Sequence, residues 1–309
     1  MPVTPDTLTI AACAKINLDL RILGVRADGF HDLRTVFQTL ALHDVVTITR
    51  RRGAFTITCS DPEIPVDRRN LVWRAASLLW RLARRPGAAP KDVAIHLEKR
   101  IPAQAGLGGG SADAAATLIG LASLWALDVD VVTLSRLAAR LGADVPFFLV
   151  GGTALGLGRG DDIYPLVDLP RSHVVVARPG FGVSTVEAYG WYDADARPRR
   201  EPPVRPVPAH WPAWTRGLRN DLEPPVVRRH PTVGRIKTVL LDGGAAVAAM
   251  SGSGSAVFGV FSARPDADRA ARAVADRGWA AVTTRTLTRA DYQRLLARQL
   301  AGPRTTRID

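Results

Sequence analysis

Residues 102–112 read Pro102-Ala103-Gln104-Ala105-Gly106-Leu107-Gly108-Gly109-Gly110-Ser111-Ala112, and no other stretch restricts this chain so much. The alternating segment Val93-Ala94-Ile95-His96-Leu97-Glu98 precedes it and predicts a strand. The stretch from Ala112 to Leu127 is rich in strong helix formers and predicts a helix. A strand, a glycine loop and a helix start together make a place for phosphate. Glycine lets the backbone approach a ligand closely, and the free N–H groups and dipole of a helix start favour an anion. Ser111 stands where an N-cap or a phosphate-contacting hydroxyl would be.

The spacing excludes the two commonest phosphate motifs. A Walker A loop needs Gly-Lys-Ser/Thr, and here Gly110 runs straight into Ser111. A Rossmann fingerprint needs Gly-x-Gly-x-x-Gly near the start of its domain; this loop is Gly-x-Gly-Gly-Gly, far from the start. A merely flexible connection is the plain alternative, and it leaves the glycines before a good helix unexplained.

A length of 309 residues suggests two domains, and 47% apolar residues suffice for real cores. The net charge of +12 fits anionic ligands, and it fits equally an arginine-rich composition, since the arginines are spread along the chain. The arginine runs at Arg50–Arg52 and Arg197–Arg205 have no interleaved aromatics, so a nucleic-acid groove is not expected. Cys13 and Cys59 have no metal-ligand spacing, which suits a reducing compartment. No secretion signal and no uncharged apolar stretch of membrane length is seen. The expectation is a cytoplasmic protein with no membrane partner.

Near the N-terminus, Ile16, Leu18, Leu20 and Ile22 alternate with Lys15, Asn17, Asp19 and Arg21, placing Lys15 and Asn17 on one face of a strand. Asp28-Gly29 marks a turn, and Val45–Thr49 and Ala54–Thr58 read as two further strands. Asn70–Leu82 reads as an amphipathic helix with Leu71, Ala75, Leu78, Leu79 and Leu82 on its apolar side. A helix over Val131–Leu141 ends at Gly142, and Asp144 follows, held between that end and an apolar run. Glycines 151–160 read as turns and suggest a boundary. Val174–Ala177 and Ala281–Leu287 read as strands, and Thr232–Leu241 and Asp266–Asp276 as helices. Residues 197–212 are rich in proline and arginine and read as a surface loop. A second glycine–serine loop, Ser251-Gly252-Ser253-Gly254-Ser255, feeds a strand.

Taken together, these blocks resemble a family. Pro102, Gly106, Leu107, Gly108 and Ser111, with Ser251-Gly252-Ser253-Gly254, resemble motifs of the galactokinase, homoserine kinase, mevalonate kinase and phosphomevalonate kinase superfamily. Ala14-Lys15-Ile16-Asn17-Leu18, Asp28-Gly29-Phe30-His31-Asp32-Leu33, Gly142-Ala143-Asp144-Val145-Pro146-Phe147 and Asn220-Asp221-Leu222-Glu223 are similar to the 4-diphosphocytidyl-2-C-methyl-D-erythritol kinase family within it. The resemblance spans residues 14–261. It implies an α+β fold of two domains with the active site in the cleft between them. The expected division is an ATP-binding domain over 1–158, a substrate domain over 159–301 and a tail over 302–309. It also implies transfer of phosphate from ATP, with Mg²⁺, to the 2-hydroxyl of the cytidylyl substrate, a step of the non-mevalonate route to isoprenoid precursors.

By motif position the resemblance makes Asp144 the acid–base group and Lys15 its partner. Residues 102–112 become the ATP-phosphate cradle, and the metal ligands stay unassigned. In the family a tyrosine stacks on cytosine and a histidine hydrogen-bonds it; Phe30 and His31 stand at those positions here, so the stacking face is kept and a hydroxyl lost. Tyr189 would complete the sandwich, with Asn17 and Thr185 as further substrate contacts. Two rival readings remain open: another alcohol kinase of the superfamily, such as mevalonate or homoserine kinase, or a basic RNA-binding module. Phe30, His31 and Tyr189 argue against the first, whose substrates carry no base.

Overall fold

The computed structural model describes residues 6–87, 89–195 and 217–301. The proline- and arginine-rich segment 197–212 and the tail 302–309 lie outside these.

Two long strands organise the N-terminal part. β1 (Thr7–Val25) pairs antiparallel with β2 (His31–Ala54) through the turn at Asp28-Gly29. β2 then spends its other edge on two partners. Residues Leu33–Gln38 pair with β5 (Thr153–Gly158), and Val45–Ala54 pair with β4 (Lys91–Glu98). With β3 (Thr56–Cys59) beside β4 and β6 (Asp162–Pro165) beside β5, the order is β3-β4-β2-β5-β6, with β1 on β2. Val45–Thr49 is therefore not a separate strand. Pairing with β1 along nearly its whole length keeps β2 continuous. The glycine-rich stretch 151–160 holds β5, whose last residue, Gly158, leads into β6 of the same sheet.

The second sheet has the order β10-β7-β9-β8, from β7 (His173–Arg178), β8 (Val247–Met250), β9 (Val257–Phe261) and β10 (Ala280–Arg285), all antiparallel. Its Val174, Val176, Val247, Phe258 and Val260 pack against Ala14, Ile16, Leu18, Val36 and Leu40 of β1 and β2. The outer face of the first sheet is covered by α1 (Leu71–Leu82), α2 (Gly109–Leu124), α3 (Val131–Leu141) and the single turn α4 (Phe147–Val150). The outer face of the second is covered by α5 (Thr185–Asp195), α6 (Glu223–Arg229), α7 (Pro231–Asp242) and α8 (Arg264–Ala275). The result is helices, sheet, sheet, helices. α9 (Arg289–Leu300) returns to the first sheet, where Tyr292 is buried beside Ala11 and Cys13 and donates its hydroxyl to the Phe148 carbonyl at 2.6 Å.

A register shift in β1 decides which side chains meet the cleft. Leu8, Ile10 and Ala12 pack in the core on the helix side. Ala14, Ile16 and Leu18, of the same parity, pack toward the second sheet. The pairing with β2 is irregular between Cys13 and Lys15. A one-residue slip turns every following side chain to the opposite face. Lys15 and Asn17 thereby come to the helix side, and the freed Lys15 N–H donates to the Leu107 carbonyl of the glycine loop at 3.0 Å.

α1 starts at Asn70, whose side chain accepts from the Val72 N–H, a regular N-cap. Its buried stripe is Val72, Ala75, Ala76, Leu79 and Trp80, whereas Leu82, expected on that side, is 40% exposed. The apolar face is turned toward α2 and the sheet, a direction that periodicity alone does not fix.

Candidate active site

The glycine loop, the end of α3, the start of α5, the second glycine loop and the Phe30-His31 turn line one cleft of about 1270 Å³. Lys15, Asn17, Phe30, His31, residues Pro102–Ser111, Asp144, Thr185 and Tyr189 all face it. Ala112 does not; it is buried in the core behind the loop.

The loop's path is set by two glycines. Gly106 has φ +74°, and a Cβ there would stand 2.0 Å from the Ser251 carbonyl oxygen. Gly108 has φ +72°, and a Cβ would stand 2.8 Å from the Phe148 ring and 3.1 Å from the Lys15 stem. The left-handed turn at Gly108 starts α2 at Gly109. Ser111 is therefore in the helix's first turn and is not its N-cap. The N–H groups of Gly109, Gly110 and Ser111 have no intrahelical acceptor, and the positive end of a 16-residue helix lies at the cleft. The two glycine loops are bolted together. The Ser251 hydroxyl donates to the Gly106 carbonyl at 2.9 Å and accepts from the Asn17 N–H at 3.3 Å, and the Ala256 N–H donates to the Ala105 carbonyl at 3.2 Å.

Lys15 is buried, at 3% exposure. Its ammonium lies 3.1 Å from the Asp144 carboxylate, donates to Asn17 Oδ1 at 2.6 Å and sits 5.5 Å from the Phe37 ring centroid. Asn17 in turn donates to the Thr35 hydroxyl at 2.8 Å. Asp144, in the turn between α3 and α4, is 34% exposed and so open to the cleft. A lysine held by an amide on one side and a carboxylate on the other is a fixed positive charge. The same contact keeps the carboxylate aimed into the cleft.

At the far end of the cleft, His31 stacks on Tyr189 at 4.7 Å between ring centroids, and its Nε2 meets the Asp193 carboxylate at 2.8 Å. One face of Tyr189 is thus covered by His31. Burial, with the Asp144 charge adding to it, pushes the Tyr189 phenol up. Phe30 is 57% exposed, with the Arg159 guanidinium 5.6 Å from its ring centroid. A core role for Phe30 is excluded. Thr185, the first residue of α5, has its hydroxyl 3.2 Å from that of Ser253.

Reading the sequence missed one group at this site. Lys99, at the exit of β4, is held between Asp44 and Asp113, 2.5 Å from the latter. Asp44 also accepts from the Ile101 N–H at 2.7 Å, which fixes the entry to the glycine loop. Burial pushes the Asp113 carboxyl up to about 7, against the pull of Lys99 and with a push from Asp44. Lys99 is raised by the two carboxylates in spite of its burial. The residues lie far apart in the chain, and an aspartate inside an alanine-rich helix gives no local signal of a buried charge. Among the described residues no group of three His, Cys, Asp or Glu side chains is placed to hold a metal ion. No helix there is long and apolar enough to cross a membrane.

Two glycine loops against a buried lysine and an open aspartate, on this pair of sheets, fit a GHMP-type small-molecule kinase, the class that the family models match. The models of the GHMP kinase N-terminal domain and C-terminal domain match residues 70–152 and 210–280. The chain is 44% identical over 292 residues to a 4-diphosphocytidyl-2-C-methyl-D-erythritol kinase of Moorella thermoacetica, covering 91% of this chain and 100% of that one. It is 43% identical to the enzyme of the same name from Synechococcus sp. (strain JA-3-3Ab), covering 86% and 87% of the two chains. A crystal structure of 4-(cytidine 5'-diphospho)-2C-methyl-D-erythritol kinase superposes with a TM-score of 0.75 at 38% identity, over 90% of this chain and 99% of that one. Homoserine kinase from Cytophaga hutchinsonii shares the fold, with a TM-score of 0.65 at 17% identity over 93% and 96% of the two chains. The chain belongs to the 4-diphosphocytidyl-2-C-methyl-D-erythritol kinase family.

Proposed function

We propose that this kinase transfers the γ-phosphoryl group of ATP to the 2-hydroxyl of 4-diphosphocytidyl-2-C-methyl-D-erythritol. The observation that carries this reading is the Lys15–Asp144 pair at 3.1 Å, facing a helix start whose amides are free. Phosphoryl transfer through a loose transition state is mostly positioning and charge stabilisation. Residues 102–111 cradle the phosphates through backbone N–H groups. Asp144 orients the acceptor hydroxyl and takes its proton late, as the O–P bond forms and the bond to the β-phosphate breaks to release ADP. Lys15, 3.1 Å from the Asp144 carboxylate, keeps it aimed at the acceptor and offsets charge growing on the phosphoryl oxygens. Mg²⁺, which neutralises phosphate charge, keeps most of its ligands from phosphates and water in such sites. From this chain the Ser111 hydroxyl and the Asp144 carboxylate, both facing the cleft, would be candidate oxygens to hold it.

Phe30 offers the base its exposed ring and His31 a hydrogen bond, and Tyr189, with one face taken by His31, has its other face for the expected sandwich. The residues up to 158 carry the ATP side together with Asn17, Phe30 and His31 on the acceptor side, and those from 159 to 301 add Thr185 and Tyr189. The test is turnover by purified protein with ATP and the cytidylyl substrate, with mevalonate and homoserine as rivals. Asp144→Asn and Lys15→Ala each cut kcat by about 10²–10⁴-fold, the range of a lost acid–base or charge-stabilising group, while the circular dichroism spectrum stays native. Turnover of mevalonate but not of the cytidylyl substrate would refute the assignment.

A further inference from the structure

Asn220-Asp221-Leu222-Glu223 is a family block with no part in the chemistry above. Asn220 is buried, at 4% exposure. Its two amide hydrogens go to the carbonyls of Met250 and Gly252, at 2.9 and 2.7 Å, on either side of Ser251. Its Oδ1 accepts from the Leu222 N–H at 3.0 Å. Glu223 accepts from the Met250 N–H at 2.8 Å with one oxygen and pairs with Lys237 through the other. The same block is tied to β1. The Leu20 N–H donates to the Arg219 carbonyl at 2.8 Å, the Asp221 N–H to the Leu20 carbonyl at 2.9 Å, and the Ile22 N–H to Asp221 Oδ2 at 3.0 Å.

The held loop is the wall beside the reacting groups. A Cβ on Gly252 would stand 3.2 Å from Asn17 Oδ1 and 3.4 Å from the Lys15 ammonium. One residue on, Ser253 meets Thr185 across the cleft. We infer that Asn220 is a positioning residue of the phosphoryl transfer: its carboxamide braces residues 250–252 so that the second glycine loop stays closed against Lys15 and Asn17. Only a carboxamide of this shape does so. A carboxylate has the same outline and no donors, and would face two carbonyl oxygens. The inference rests on the kinase reading, and displacements of about 1 Å near reacting groups cost on the order of 10²-fold in rate.

The experiment compares Asn220→Asp and Asn220→Ala with Asp221→Ala, which loosens the block from β1 but leaves the brace. Steady-state kinetics and backbone amide hydrogen exchange are read on each. In both Asn220 variants kcat falls about 10–100-fold, KM for ATP stays within about twofold, and exchange speeds up over residues 251–255 but not in α2. Asp221→Ala keeps kcat within about threefold and leaves exchange at 251–255 as in the wild type. Unchanged exchange at 251–255 in both Asn220 variants overturns the brace. Faster exchange with kcat within threefold of wild type overturns its role in the reaction. A wild type that turns over no cytidylyl substrate strikes the kinase reading instead, since the exchange measurement tests the brace without substrate.

Discussion

Gly106→Ala, in the glycine loop, and Gly110→Ala, in the first turn of α2, add the same methyl group to one cradle, and they should move stability in opposite directions. At Gly106 the backbone is left-handed, which costs an alanine about 1–2 kcal/mol. The new Cβ would also lie 2.0 Å from the Ser251 carbonyl oxygen, so the loops must part by roughly 1 Å to reach the ordinary contact limit near 3 Å. Parting strains the bonds from Ser251 to Gly106 and from Ala256 to Ala105, each worth about 1 kcal/mol net. The sum is about 3–4 kcal/mol, which at roughly 1.5 °C per kcal/mol for a chain of 309 residues lowers the melting temperature by about 5–6 °C. Since the same shift moves the cradle away from Lys15, kcat falls on the order of 10²-fold. At Gly110 the backbone is helical, and the nearest atom to a Cβ is Leu71 Cδ1 at 4.0 Å. Alanine there stabilises the helix by about 0.5–1 kcal/mol. Its methyl group intrudes on the phosphate cradle, so KM for ATP rises while the protein melts later. Thermal melts and ATP titrations on both variants decide the matter. A Gly106→Ala protein that melts with the wild type would refute the contact between the loops, and a Gly110→Ala protein with unchanged KM would refute the cradle.

Two further outcomes follow from burial. The Asp113 carboxyl is raised to about 7, so the native state holds this proton more tightly than the unfolded chain does. Its contribution to stability is present at low pH and is lost as pH rises from about 4 to about 7. Asp113→Asn should therefore gain in melting temperature relative to the wild type across that interval, and a gap that stays constant or closes counts against the assignment. Burial pushes the Cys13 thiol up to about 12, beneath α9, whereas Cys59 is only half-buried. Native protein at pH 8 should give one thiol to Ellman's reagent and a second only on unfolding; equal labelling of both by peptide mapping would contradict the packing of α9.

What could be read from the chain was local and chemical. The order of strand, loop and helix at 93–124 follows from alternation and helix propensity, and the Lys15, Asp144 and glycine-loop blocks carried the chemistry. Lys15 and Asn17 were placed on one face by period two. That the face is the cleft side depends on the slip after Cys13, which leaves no mark in the apolar pattern because residues on both parities of β1 are buried. β5 was hidden because glycines that read as turns lie in a strand paired with β2. At Gly156 a Cβ would stand 2.7 Å from the Phe37 ring, so the glycine serves sheet packing. The Asn220 block is legible as a family motif, but its task, like the burial of Lys99 and Asp113, is not, for another reason. Each acts on residues far from it in sequence, and a single buried polar side chain announces its partner only when the chain is folded.

The return of α9 to the first sheet bears on how the molecule is made. The Ala11 N–H is satisfied by the side chain of Gln299, 288 residues later in the chain, at 3.1 Å. During synthesis β1 and β2 leave the ribosome with the flank at Ala11 and Cys13 bare, and it stays bare until nearly all of the described chain has emerged. The first sheet is thus begun first and finished last. A chain that stops short of α9 exposes a thiol and a strand flank that α9 conceals.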